Sequence, residues 1–171
     1  LLDLVEKGPV EKLNDTRFSQ VAVFLTSMAA VKKLQREDPK AVANASVTAG
    51  FSLGEYSALV FGGAMSFEDG LRVVKARAEA MEQAANAAEG GMASVSGASD
   101  DALQTALDKA AAIVDPTGKA KAYIANYMFP EGRTCSGDLK VLEEMCKIAP
   151  TMGAKTAKML NVSGAFHTPY M

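Results

Sequence analysis

The sequence predicts an α/β fold in two parts: a larger domain built on a strand-turn-helix unit, and a small α+β subdomain inserted into it. Three observations carry the prediction. An apolar stripe of helical period runs through residues 18–36. The pattern Gly50-Phe51-Ser52-Leu53-Gly54 stands between a short β-prone run and a helix-prone one. After Gly91 the rhythm changes to strand, helix, strand, strand, helix, strand.

Residues 1–15 are mixed and end in Asn14-Asp15, a turn or cap signal. Apolar residues at 21, 24, 25, 28, 31 and 34 then share one helical face, and Pro39 closes that helix. Ser46-Val47-Thr48-Ala49 reads as a short buried strand running into Gly50. Residues 53–64 favour a helix that Gly62-Gly63 ends. Ser66 caps the next helix, with Asp69 three places on as in a capping box, and Gly90-Gly91 stops it. Strands are expected at 92–96, 121–126, 133–136 and 155–162, and helices at 100–113 and 138–148. That order is the one of a ferredoxin-like (βαββαβ) unit. The expected domains are residues 1–91 with 158–171 for the larger part and residues 92–157 for the insert.

The 171 residues are about half apolar, enough to bury a sizeable core. A net charge of −2 offers no electrostatic footprint for nucleic acid. No apolar run approaches the ~18 residues of a membrane span. Cys135 and Cys146 lack any metal or redox spacing and read as free, buried thiols of a reducing compartment. The chain begins at Leu1 with no targeting segment, so the true N-terminus is expected to lie upstream.

Gly50-Phe51-Ser52-Leu53-Gly54 fits G-x-S-x-G in the context a nucleophile elbow requires. The turn lifts the Ser52 hydroxyl out over the sheet, the helix N-terminus beneath it favours negative charge, and the Leu53 N–H is placed as an oxyanion donor. The plainer alternative is a turn in which Ser52 merely caps the helix. A serine nucleophile needs a base. The one histidine of the chain, His167, is the candidate, in Ser163-Gly164-Ala165-Phe166-His167-Thr168-Pro169. Without the elbow it would read as a lone histidine with no role. Arg77 shares a helical face with Leu71, Val74, Ala78 and Met81. A cation there needs a partner: a structural Asp or Glu, or a free carboxylate on a substrate gripped by the planar fork.

These segments resemble the malonyl-CoA:acyl-carrier-protein transacylases. The resemblance lies in Ala49-Gly-Phe-Ser-Leu-Gly-Glu-Tyr-Ser-Ala-Leu-Val60 and in Leu13-Asn-Asp-Thr-Arg-Phe-Ser-Gln20. It continues through Arg77-Ala-Glu-Ala-Met81, Ile124-Ala-Asn-Tyr127, Ser136-Gly137 and Val162-Ser-Gly-Ala-Phe-His-Thr-Pro169. It implies an α/β-hydrolase-like acyltransferase domain with an inserted ferredoxin-like subdomain. It also implies a malonyl-Ser52 intermediate, His167 as base, and substrate binding by Arg77, Met81, Asn126 and Phe166. Malonyl-CoA and coenzyme A would be substrate and product, acyl carrier protein the partner, and type II fatty acid synthesis the process, with no bound cofactor or metal. Phe166 resembles the malonyl-selective members.

Phe51 replaces the histidine most members carry before the serine. With residues 76–81 and 125–130 it resembles animal mitochondrial members, so a mitochondrial matrix location is implied. The family's N-terminal glutamine-glycine loop is not found here, nor is the segment whose carbonyl orients the histidine. The chain is therefore expected to be an internal piece of a longer protein. Lys155 and Lys158 are candidate contacts for an acidic carrier protein, or ordinary solvated lysines. Two other readings stand beside the transacylase. One is a serine esterase or thioesterase with a Ser52-Asp138-His167 triad; the other is a non-catalytic fragment that binds acyl-CoA or carrier protein.

Overall fold

A computed structural model describes residues 1–162 and 164–171, and they form two compact units, Leu1–Ala80 and Met81–Met171. The first unit is helical. Short helices α1 (Leu2–Lys7) and α2 (Val10–Leu13) occupy the segment whose composition looked mixed. The long helix α3 (Thr16–Glu37) starts where the Asp15 carboxylate accepts from the Arg17 N–H at 3.0 Å. Pro39 does end α3, but by opening the short α4 (Pro39–Ala43). Asp38 serves as C-cap of the first and N-cap of the second, accepting from the Ala41 N–H.

α5 (Leu53–Phe61) and α6 (Phe67–Ala87) follow. The capping box is present in a modified form: the Asp69 N–H donates to Ser66 Oγ, and the Ser66 hydroxyl donates to the Asp69 carboxylate at 2.8 Å.

The first unit's core is small and defines its geometry. Phe24, Met28 and Val74 are buried, with Val21, Leu25, Val31, Leu53, Tyr56, Val60 and Leu71 packed on them. Phe24 stacks on Phe67 with centroids 5.9 Å apart. Gly70 lets α6 approach: a Cβ there would meet Val60 Cγ2 at 2.7 Å and Phe24 Cζ at 3.0 Å. The expected strand at 46–49 is not formed. A strand exists only by pairing, and the described strands all belong to the second unit, so Val47 stands 84% exposed.

The second unit follows the expected order. β1 (Gly90–Ser96), α7 (Asp100–Val114), β2 (Ala122–Phe129), β3 (Gly132–Asp138), α8 (Leu139–Ile148) and β4 (Thr156–Met159) build a four-stranded sheet ordered β2-β3-β1-β4. Its ladders are all antiparallel, with Ala93 paired to both Cys135 and Met159. Helices α7 and α8 pack on the sheet through Leu103, Leu107, Val141, Leu142 and Met145, against Ala93, Val95 and Cys135. Burial pushes the Cys135 thiol up to about 12, and it also raises that of Cys146.

The loop from α7 to β2 is wound around one carboxylate. Asp115 accepts from the Thr117 hydroxyl at 2.6 Å and from the N–H groups of Thr117, Lys119 and Ala120 at 2.8–2.9 Å. The Thr117 hydroxyl bond, followed by the backbone bonds, holds the Asp115 carboxyl down at about 2. A depressed folded-state value means stability that is present above the unfolded value near 4 and lost as pH falls toward 2. Asp115→Ala should therefore lower Tm at pH 7. It should also flatten the loss of Tm between pH 4 and pH 2, followed by circular dichroism.

Candidate active site

Ser52, the candidate nucleophile, stands at the turn that leads into α5. Its backbone lies at φ 52°, ψ −110°, a strained conformation for any residue with a Cβ. It immediately precedes α5, yet its side chain makes no capping bond to that helix. The hydroxyl is therefore not spent on the role that the plainer reading gives it. The turn depends on Gly50, where a Cβ would fall 2.0 Å from the Gly54 carbonyl oxygen. Gly54 itself faces open space. Leu53 is the first helical residue, so its N–H is one of the donors a helix cannot satisfy internally, and it follows the serine directly.

Arg77 comes to the serine from α6. Val74 and Ala78, on the same stripe, are buried, and Arg77 itself is half-buried. Its Nη2 donates to Ser52 Oγ at 2.9 Å. Its Nη1 donates to Gln20 Oε1, and its guanidinium carbon lies 5.7 Å from the Tyr56 ring centroid. Among the described residues no Asp or Glu forms an ion pair with it. A half-buried cation held by neutral groups is suited to an anion, and no described Asp or Glu supplies one.

Gln20 and Thr16 were not singled out from the sequence. Both are buried, and the Gln20 amide donates to Thr16 Oγ1 at 2.8 Å. The signal was available: Thr16 and Gln20 continue the spacing of Phe24 and Met28 at intervals of four. They are thus a polar pair on the buried face of α3. Tyr56, one turn into α5, was likewise passed over.

The remaining predicted site residues belong to the second unit. Phe166 is buried, His167 is exposed at φ 62°, and the Thr168 hydroxyl closes their turn onto the Ala165 carbonyl at 2.7 Å. Gly164 is pressed against Ala85, so the chain approaching the histidine is tightly seated. Ser163 lies outside the described residues. Asn126 accepts from the Thr134 hydroxyl across β2 and β3 at 2.6 Å, and Met81 opens this unit on α6. Asp138, the triad acid of the esterase reading, caps α8, accepting from the N–H groups of Lys140 and Val141 at 3.0 and 3.2 Å. Lys155 and Lys158 are exposed.

The large apolar groove of the first unit, about 680 Å³ and lined by Leu25, Met28, Val60 and Phe67 among others, contains none of these residues. Among the described residues no cluster of His, Cys, Asp and Glu could hold a metal ion. No described helix is long and apolar enough to cross a membrane.

The chain is 42% identical to a mitochondrial malonyl-CoA-acyl carrier protein transacylase of Mus musculus, covering 100% of this chain and 45% of that protein. It is 38% identical to a malonyl CoA-acyl carrier protein transacylase of Bacillus subtilis, covering 100% and 51%. Among solved structures it matches a malonyl-transacylase in complex with its type II polyketide acyl-carrier protein. That match has a TM-score of 0.85 and 29% identity, over 99% of this chain and 52% of that one. The chain thus spans about half the length of the relatives it matches. Residues 1–171 match the acyl transferase domain throughout, and the chain belongs to that family.

Proposed function

We propose that this chain carries the nucleophile, the base and the carboxylate anchor of a malonyl-CoA:acyl-carrier-protein transacylase. The observation that carries the reading is the contact between the strained Ser52 and the neutral-partnered Arg77. A malonyl carboxylate is separated from its thioester carbonyl by one methylene. Seated on Arg77, it brings that carbonyl within reach of Ser52 Oγ, the fork's present acceptor. A monoacid leaves the fork unmet, and a longer diacid overshoots.

In this reading His167 takes the proton from Ser52 Oγ as it attacks the thioester carbon. The Leu53 N–H donates to the developing oxyanion. The tetrahedral intermediate expels coenzyme A thiolate, which takes the proton from the imidazolium, and a malonyl-Ser52 ester remains. The phosphopantetheine thiol of the carrier protein then gives its proton to His167 and attacks the ester. Ser52 leaves and is reprotonated. Oxidation states do not change, and the thioester is already activated, so the chemistry closes with malonyl-CoA, coenzyme A and carrier protein alone. The family resemblance assigns Met81, Asn126 and Phe166 to acyl binding, Phe166 favouring the unbranched malonyl group. Relatives named as mitochondrial transacylases support a mitochondrial location; the matrix and type II fatty acid synthesis belong to this reading, and Lys155 and Lys158 are offered as carrier contacts.

The same reading assigns residues 92–157 to a ferredoxin-like subdomain inserted in an α/β-hydrolase-like domain of residues 1–91 and 158–171. The sheet order β2-β3-β1-β4 and the strand-helix-strand-strand-helix-strand sequence support it.

Three experiments test the proposal. Ser52→Ala should retain fold, by circular dichroism, and take up no malonyl group from malonyl-CoA; a malonyl ester found by mass spectrometry on another residue overturns the assignment. Arg77→Ala should lose about 10- to 150-fold in kcat/KM for malonyl-CoA, the value of one charged hydrogen bond, while acetyl-CoA is handled as before. An unchanged malonyl-to-acetyl ratio makes Arg77 merely structural. Asp138→Asn keeps an N-cap and should leave turnover within a few-fold; a loss on the order of 10⁴ would install the triad and the esterase reading.

A further inference from the structure

The hydrogen-bond chain running inward from Arg77 assigns a role to a residue outside the chemistry proper. We infer that Gln20 is the positioning residue for the Arg77 fork, and that its neutrality is what leaves the fork able to select a diacid. The inference rests on the transacylase reading for the identity of the anion.

Arginine presents only donors, so the Gln20 atom facing Nη1 must be its carbonyl oxygen. The amide nitrogen then faces away, and Thr16 Oγ1, one turn back on α3, receives it at 2.8 Å. Thr16 thereby fixes which way the amide points. Both residues are buried, so the amide's bond to Thr16 does not compete with bulk water, and the orientation is held by the rigid helix α3 rather than by a loop.

With Nη1 held, the planar guanidinium has one freedom fewer, and Nη2 is left on Ser52 Oγ at 2.9 Å. The anchor therefore sets the distance between the carboxylate-binding fork and the nucleophile.

Why an amide rather than a carboxylate stands at position 20 follows from the charge. A glutamate would hold Nη1 more tightly, but it would neutralise Arg77 before any substrate arrived. The substrate carboxylate would then meet a paired cation and pay for its own desolvation without a matching gain. A buried amide holds the fork and leaves its charge unspent.

The test uses the protein at its natural length and the variants Gln20→Glu, Gln20→Met and Thr16→Val. Binding of free malonate and acetate is measured by calorimetry. Formation of the Ser52 ester from malonyl-CoA and acetyl-CoA is measured separately. Ser52 reactivity toward phenylmethylsulfonyl fluoride, which carries no carboxylate, reports the intact elbow.

Gln20→Glu should weaken malonate about 10- to 100-fold and raise KM for malonyl-CoA, with acetyl-CoA and sulfonyl fluoride rates within about threefold of wild type. Gln20→Met should also weaken malonate, and Thr16→Val should do so less. Malonate preference equal to wild type in Gln20→Glu, or in Gln20→Met if the first variant fails to fold, overturns the inference. So does a wild-type protein that does not prefer malonate to acetate. A wild type that prefers malonate but forms no Ser52 ester sinks the transacylase reading instead, and the variants still decide whether Gln20 governs the fork.

Discussion

Phe24 packs so closely on Gly70 that a single methyl on that glycine would overlap both its ring and Val60. The contact is the constraint from which the first unit's candidate site takes its shape. It draws α3, α5 and α6 together on a core of few residues, and each of the three contributes one polar group to one spot. Gln20 comes from α3, one turn before the phenylalanine. Ser52 heads α5, and Arg77 lies one turn beyond Val74 on α6. None of these groups is held by a loop alone, so the geometry of Arg77 and Ser52 is as rigid as the packing beneath it.

The electrostatics of the spot are set by what is left out. Arg77 has an amide, a hydroxyl and an aromatic face for company, and each can accept from or lie under a cation without cancelling it. Ser52, in turn, is freed from capping α5, and its hydroxyl meets the guanidinium instead. Backbone strain at the serine and an unneutralised charge at the arginine are two costs that a purely structural turn and helix would have no reason to carry.

Much of this was legible in the sequence because it is written in local patterns. Glycine spacing around Ser52, the helical stripe that contains Arg77 and the alternation of elements after Gly91 each reflect short-range geometry, and the structure follows them closely. What was not legible depends on partners distant in the chain. Residues 46–49 have the composition of a strand, but no neighbour within the described residues pairs with them, and composition cannot supply one. The mixed look of residues 1–15 hid two short helices because helices of one or two turns are too brief for a period to show. Gln20 escaped notice for a different reason. A glutamine in a helix is unremarkable until its side chain is seen to be buried and aimed at a cation 57 residues away.

On the proposed transacylase reading, the burial of Cys135 bears on a hazard of handling activated acyl groups. A cysteine thiolate attacks a thioester readily, and any reactive thiol of the enzyme's own would siphon the cargo onto itself. Burial pushes the Cys135 thiol up to about 12, which disfavours its reactive thiolate at neutral pH. The same environment that makes it a good filler of the sheet's inner face makes it silent toward self-acylation. Cys146, also raised, shares part of that protection. On that reading, packing in the second unit keeps a thiol of the chain's own from competing with Ser52 for the acyl group.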